Sequence, residues 1–279
     1  MRNNFWRSLA LAGLLLLVPA LAGTAQANTQ TTGHYNLDYG PWQGVAKALT
    51  PYLDAAFTTP QGVLGYDNQG HGNIDVIFYS DPNSATLGYM TAGQNALHLN
   101  IVGDQSTAAG YLSQYGSVVA HETAHILYYN KTGLAGRYNL NSGAMKADSW
   151  VTEAIAYYVG EVAYPRGARQ GRASLGSLLA HYSNNGATRS SWYDSGSRYR
   201  DGNPSSLDIV QMEATGYFLA NFGGGGGLAR LTDALAGNGD FEAALQSAYG
   251  RPSGQYGTAS GAKENTLYSE YIKYYYGSY

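Results

Sequence analysis

The sequence predicts an α+β fold, with a small mixed sheet and one helix in the first third and a mainly helical remainder. Three observations predict it. Strand-like alternation of apolar and β-branched residues is confined to residues 28–104. Helical spacing of apolar residues dominates 105–279. The chain has 279 residues, and setting aside the first 27 leaves about 250, enough for one domain with a real core and too few for two with a linker.

Residues 1–27 read as a secretory signal peptide. Arg2 and Arg7 give a positive start, Leu9 to Leu21 is apolar, and Ala25-Gln26-Ala27 is a small-x-small cleavage site. The apolar run is too short to span a bilayer, so no membrane anchor is expected after cleavage, and the protein is expected to be secreted or periplasmic and bacterial. Residues 28–40 read as an unstructured arm. Pro41 to Phe57 is an amphipathic helix, with Trp42, Val45, Leu49 and Leu53 at helical spacing and Pro41 in the first turn. Asn73 to Tyr79 alternates and is β-branched, a strand; Thr86 to Thr91 and Ala96 to Val102 are two more, separated by a turn at Gly93-Gln94-Asn95.

The next element is the helix Tyr111 to Asn130, with Lys131 in its last turn and Gly133 as C-cap. A Gly/Asn/Ser-rich loop covers 133–146. A second long helix runs from Ala147 to Tyr164 and stops at Pro165. The basic stretch with Arg166, Arg169 and Arg172 reads as a solvated loop. Leu175 to Tyr182 is a short helix, Ser190 to Asn203 a polar loop, and Pro204 to Phe222 a long helix. Gly223 to Gly227 breaks the chain as a hinge or a tight turn. Helices at Leu228–Ala236, Phe241–Tyr249 and Asn265–Tyr276 complete it, with no internal repeat.

Composition narrows the chemistry. There is no cysteine, so any metal must be held by His and carboxylate. Without Arg2 and Arg7, 14 basic residues stand against 19 acidic, a balance that argues against nucleic acid and anionic membrane as partners. A peptide or protein substrate and a monomeric state are the expectation.

Inside the Tyr111–Asn130 helix lies His121-Glu122-Thr123-Ala124-His125. Helix positions i and i+4 share a face, so both imidazoles can reach one metal ion. Glu122, beside the first ligand, can take a proton from a metal-bound water without displacing it. The motif is flanked by Val118, Val119, Ala120, Ile126 and Leu127. Burying two imidazoles and a carboxylate without a purpose would be costly. Zinc needs a third protein ligand and an open position. A downstream His is excluded, because Lys131 occupies that place. Glu153 is the preferred third ligand, since its neighbours Trp150, Val151, Ala154, Ala156 and Tyr157 are mostly apolar and call for compensation by a cation. Asp148 and Glu161 compete; Asp148 is placed at the helix start, where a cap or dipole role explains it.

The combination His121-Glu122-x-x-His125 with Trp150-x-x-Glu153-Ala154-x-Ala156-x-Tyr158 resembles the gluzincin metallopeptidases. The second segment is similar to the W-x-x-E-G-x-A-x-Y run of bacterial collagenases, with Ala154 for the usual glycine, and the offset of 28 from His125 to Glu153 fits that branch. Leu87-Gly88-Tyr89-Met90, Asn95-Ala96 and Thr215 to Leu219 look like hyicolysin-like secreted peptidases. The resemblance implies a zincin-like domain in which the small sheet lies over the active helix and its edge strand pairs with an extended peptide. Ala96 to Val102 is the candidate edge. It also implies a zinc-dependent endopeptidase with Glu122 as general base. For the oxyanion donor, Tyr217 and His181 are candidates, with plain packing an equal reading for Tyr217.

Asp67-Asn68-Gln69-Gly70-His71-Gly72-Asn73-Ile74-Asp75 loosely resembles a calcium loop, but it lacks the terminal bidentate Glu; a turn feeding the strand is the preferred reading, Ca2+ the second. Two rivals stand beside the endopeptidase. An aminopeptidase needs an acidic pocket for the α-amine, and no G-x-M-E-N-type segment precedes the helix. A non-catalytic peptide- or glycan-binding protein on the same scaffold has no use for Glu122.

Overall fold

The computed structural model describes residues 28–84, 86–103, 109–137, 143–165, 171–184, 192, 198, 204–254 and 265–277. The side chains of 136–148, of 183–184 and of 238 also fall outside the description. The segment read as a signal peptide, Arg166 and Arg169 of the basic stretch and most of 190–203 therefore lie outside the described residues. Arg172 is not in a loop but on the helix Gly171–Asn184, where its Nε donates to the Tyr274 carbonyl at 2.8 Å.

The architecture is α+β, as the pattern predicts. Five strands, β1 (Thr29–Thr32), β2 (Tyr35–Asp38), β3 (Ile74–Tyr79), β4 (Gly88–Met90) and β5 (Ala96–Asn100), form one mixed sheet in the order β1-β2-β3-β5-β4. β2, β3 and β5 run parallel, while β1 and β4 are antiparallel to their neighbours. Ile74, Val76, Phe78, Leu97 and Leu99 point to one face and are buried there. The residues between them are more exposed, the alternation of a one-sided sheet.

Two expectations are corrected here. Residues 28–40 are not an unstructured arm. They fold into the β1–β2 hairpin, turning at Gly33 in a left-handed conformation, and bury Tyr35 and Leu37. The pairing that fixes β2 is with β3, some forty residues on. Ala96 to Val102 is not the sheet edge either. β5 is enclosed by β3 on one side and β4 on the other, so β4 is the edge.

Helix α1 (Gln43–Leu64) runs past the predicted end at Phe57. Pro51 and Pro60 lie inside it, yet the buried stripe Val45, Leu49, Leu53, Phe57, Pro60, Leu64 continues at helical spacing, and that burial outweighs the lost backbone bonds. Gly65 ends it in the left-handed region. Helix α2 (Ala109–Thr132) is buried on every side from Tyr115 to Tyr128, and Gly133 closes it through a bond to the Tyr129 carbonyl. Lys131 does not complement its own helix end. Its Nζ donates to the Leu64 carbonyl at 2.6 Å and meets Asp233 at 2.6 Å, tying three helices together.

A single turn, α3 (Leu134–Arg137), occupies the start of the predicted loop, and α4 (Gly143–Ala163) begins earlier than expected. Asp148 therefore lies within a helix and not at its cap, and its side chain is outside the description. Then follow α5 (Gly171–Asn184), α6 (Ser206–Asn221), α7 (Gly227–Asn238), α8 (Phe241–Tyr249) and α9 (Leu267–Tyr276). Ser205 and Asp208 form a capping box on α6. Gly223 to Gly226 all take positive φ, which makes the glycine run a tight turn between α6 and α7. No helix among the described residues is long and apolar enough to cross a membrane.

Candidate metal centre

Helices α2 and α4 lie antiparallel, and their register builds the site. Tyr164 packs where a side chain on Gly116 would sit, the Ser117 hydroxyl donates to the Gly160 carbonyl at 3.3 Å, and the Tyr157 ring meets His121 edge-on at 4.8 Å. One more turn along α4 brings Glu153 opposite His121 and His125. Gly160 matters to this approach, since a Cβ there would lie 3.1–3.2 Å from Ser117 atoms.

The Nε2 atoms of His121 and His125 are 3.2 Å apart, and each is 3.6 Å from a Glu153 carboxylate oxygen. All three ligating atoms fall within 4.8 Å of one another. His121 and His125 are 5% and 7% exposed, and Glu153 keeps 22% of its side chain exposed. Burial lowers the His125 pKa to about 4 against the opposing pull of Glu153, so near neutral pH its ring is uncharged and its contact with the carboxylate is not an ion pair. Burial likewise raises the Glu153 carboxyl, with His125 countering. Two imidazole nitrogens and a carboxylate thus converge in a buried place. One proton can bridge two of them, whereas a cation satisfies all three, and a set of two imidazoles and one carboxylate suits a divalent transition metal such as zinc.

Glu122 is 4% exposed, one residue beyond His121 and turned toward the sheet. Burial raises its carboxyl well above the usual carboxylate range, the Glu153 charge adds to this, and the Met90 backbone N–H counters it. That N–H belongs to edge strand β4. At Gly88, on the same strand, a Cβ would stand 2.4 Å from Val118 and 3.8 Å from the Glu122 side chain, so the strand rests directly on α2. From the other end of the sheet, the Tyr35 hydroxyl pairs at 2.8 Å with Thr123, inside the motif itself. Neither contact was expected from the sequence. The alternation of Tyr35 and Leu37 and the glycine in Leu87-Gly88-Tyr89-Met90 are the traces they leave there.

The remaining candidates fall elsewhere. Tyr217 sits on α6, its ring against Tyr158 at 6.3 Å. α6 crosses the Ala154 and Tyr158 face of α4, where Gly216 permits backbone contact, while Glu153 and Tyr157 face α2. Tyr217 is therefore behind α4 as seen from the cluster. His181 is exposed on α5, edge-on to Tyr182. Glu161 is buried two turns beyond Glu153 on α4 and is not part of the converging group.

The Asp67–Asp75 loop is closed by amides. Asn68 donates to the Gly72 carbonyl and to Asn95 Oδ1, each at 3.2 Å. Asn95 donates to the carbonyls of His71, Gly72 and Asn73 at 3.0, 3.4 and 2.7 Å. Asn130 of α2 donates to both Asn68 and Asn95. Asp67 is engaged by Gln69, and Asp75 by Asn36. The turn reading accounts for all of these bonds.

No protein-family model, curated protein or solved structure matches the chain.

Proposed function

We propose that this chain is a zinc-dependent peptidase of the gluzincin type, exported through its N-terminal segment and acting as an endopeptidase. His121, His125 and Glu153 hold the metal, and Glu122 is the general base. The observation that carries the reading is the placement of Glu122: a buried carboxylate with raised proton affinity, beside three converging metal donors and beneath edge strand β4, which has no strand on its outer side among the described residues.

Zinc in this donor set supplies Lewis acidity toward a carbonyl oxygen and a water. The chain's own residues do the rest. The open edge of β4 accepts an extended peptide as an added strand and holds it across the face of α2. Glu122 takes one proton from the attacking water; the oxygen bonds to the scissile carbon, and the carbon–nitrogen bond breaks. The same carboxyl then gives its proton to the leaving nitrogen. Its raised pKa suits the first half, because it binds the proton readily. The Met90 N–H keeps the carboxylate aimed between these transfers. Tyr217 takes no part, since α4 stands between it and the cluster.

The test combines metal analysis with cleavage of an unfolded protein. Purified protein carries about one zinc per chain and cuts the substrate. Chelation stops the cutting, and Glu122→Gln keeps the zinc but loses activity. Equal cleavage by Glu122→Gln and wild type, or a zinc-loaded wild type that cuts nothing, ends the reading.

A further inference from the structure

A small cavity opens beside His121, lined by Leu87, Gln114, Ser117, Val118, Tyr157 and Gly160. We propose that it selects the substrate: it takes the side chain of an alanine or serine next to the scissile bond and turns away long aliphatic and aromatic residues. This rests on the peptidase reading.

Position is the first argument. Its lining joins His121, a member of the cluster, with Leu87, immediately before edge strand β4. A peptide added to that edge near the cluster lays a side chain into this space, because alternate residues of a strand point to the same face. Size is the second. The cavity measures about 30 Å³, the space of roughly two water molecules. A methyl or hydroxymethyl group fits; a leucine or phenylalanine side chain does not.

Rigidity is the third. Gly160 and Ser117 bring the two helices to backbone contact and are locked by a hydrogen bond. Val118 and Tyr157 are 5% and 1% exposed and packed in the core. Widening the cavity would mean separating α2 from α4, which would also move Glu153 away from the histidines. Leu87, half-buried and on a connecting segment, is the one softer wall.

Two measurements test this. Calorimetry uses Glu122→Gln protein with zinc added and two otherwise identical peptides carrying alanine or leucine at the varied position. The alanine peptide is expected to bind about tenfold more tightly. Product sequencing after digestion of a peptide library by wild type shows small residues at one side of the cut. Val118→Ala enlarges the cavity and raises the ratio of leucine to alanine kcat/KM about tenfold; Leu87→Ala does the same from the other wall, should Val118→Ala fold poorly. Equal binding of the two peptides, large residues on both sides of the cut, or an unchanged ratio in folded variants overturns the selectivity while leaving the peptidase. Selective binding by a protein that cuts nothing overturns the peptidase and leaves the selectivity.

Discussion

Two places in this molecule gather polar side chains that sequence alone makes look like metal sites, and they are built on opposite principles. In the Asp67–Asp75 loop, asparagines meet asparagines and backbone carbonyls, so every acceptor faces a donor. In the His121–His125–Glu153 cluster, two imidazole nitrogens and a carboxylate face one another across 3.2–3.6 Å in a buried setting. An amide carries its own donor and acceptor and can close a network by itself. Two imidazole nitrogens and a carboxylate at close range offer lone pairs that one metal ion can take together. What separates a metal centre from a structural knot is the balance of donors and acceptors, which spacing in sequence does not report.

Removing a ligand should break the comparison most completely. A zinc site is worth roughly 10–16 kcal/mol, so one of its ligands accounts for about 3 kcal/mol. His125→Ala or Glu153→Ala is expected to weaken zinc binding at least about a hundredfold, read by competition with a chromophoric chelator. Glu122→Gln comes next: a loss of about a hundred- to ten-thousand-fold in kcat with zinc content unchanged. In the loop, Asn95→Ala leaves three carbonyls and the Asn68 and Asn130 amides without this partner. It should cost about 2–4 kcal/mol in denaturant unfolding, with no change in zinc content. Added calcium should leave the melting temperature of wild type where it was.

The smallest effect is one of pH. The Glu122 carboxyl has a folded pKa above its unfolded value, so as pH rises from about 4.5 the unfolded chain gives up this proton first, and the folded state loses stability until the folded pKa is passed. Gln does not titrate. With zinc chelated, Glu122→Gln should therefore gain on wild type as pH goes from acid to mildly alkaline, measured as the difference in denaturant midpoint. A difference that shrinks with rising pH contradicts the burial assigned to this carboxylate.

Much of this was legible in the sequence wherever the determining contacts are local. The periodicity around His121 marks α2, Gly133 marks its end, and the apolar setting of Glu153 singles it out from Asp148 and Glu161. The antiparallel register that brings Glu153 to the histidines is written in small residues, Gly116, Ser117 and Gly160, whose role appears only when the helices are laid together. Non-local pairing was less readable. β2 has four residues and depends on β3 for its register, so residues 28–40 look featureless alone. The identity of the edge strand depends on sheet order, which alternation within a strand does not encode. α1 crosses two prolines because its buried stripe outweighs them, a tertiary effect. Tyr217 is a candidate oxyanion donor by sequence, but the face of α6 that carries it packs away from the cluster.

The Tyr35–Thr123 bond links the stretch just after the expected cleavage site to the middle of the His-Glu-x-x-His segment. The age and handling of a preparation therefore bear on its activity. A processing enzyme that nibbled through Leu37 would remove all of β1 and three of the four residues of β2, and leave the Thr123 hydroxyl buried without that partner, eighty-odd residues from the cut. Intact and ragged batches of the same protein would then differ in the stiffness of the active helix, and a mass measurement of the N-terminus would tell them apart before any assay is run.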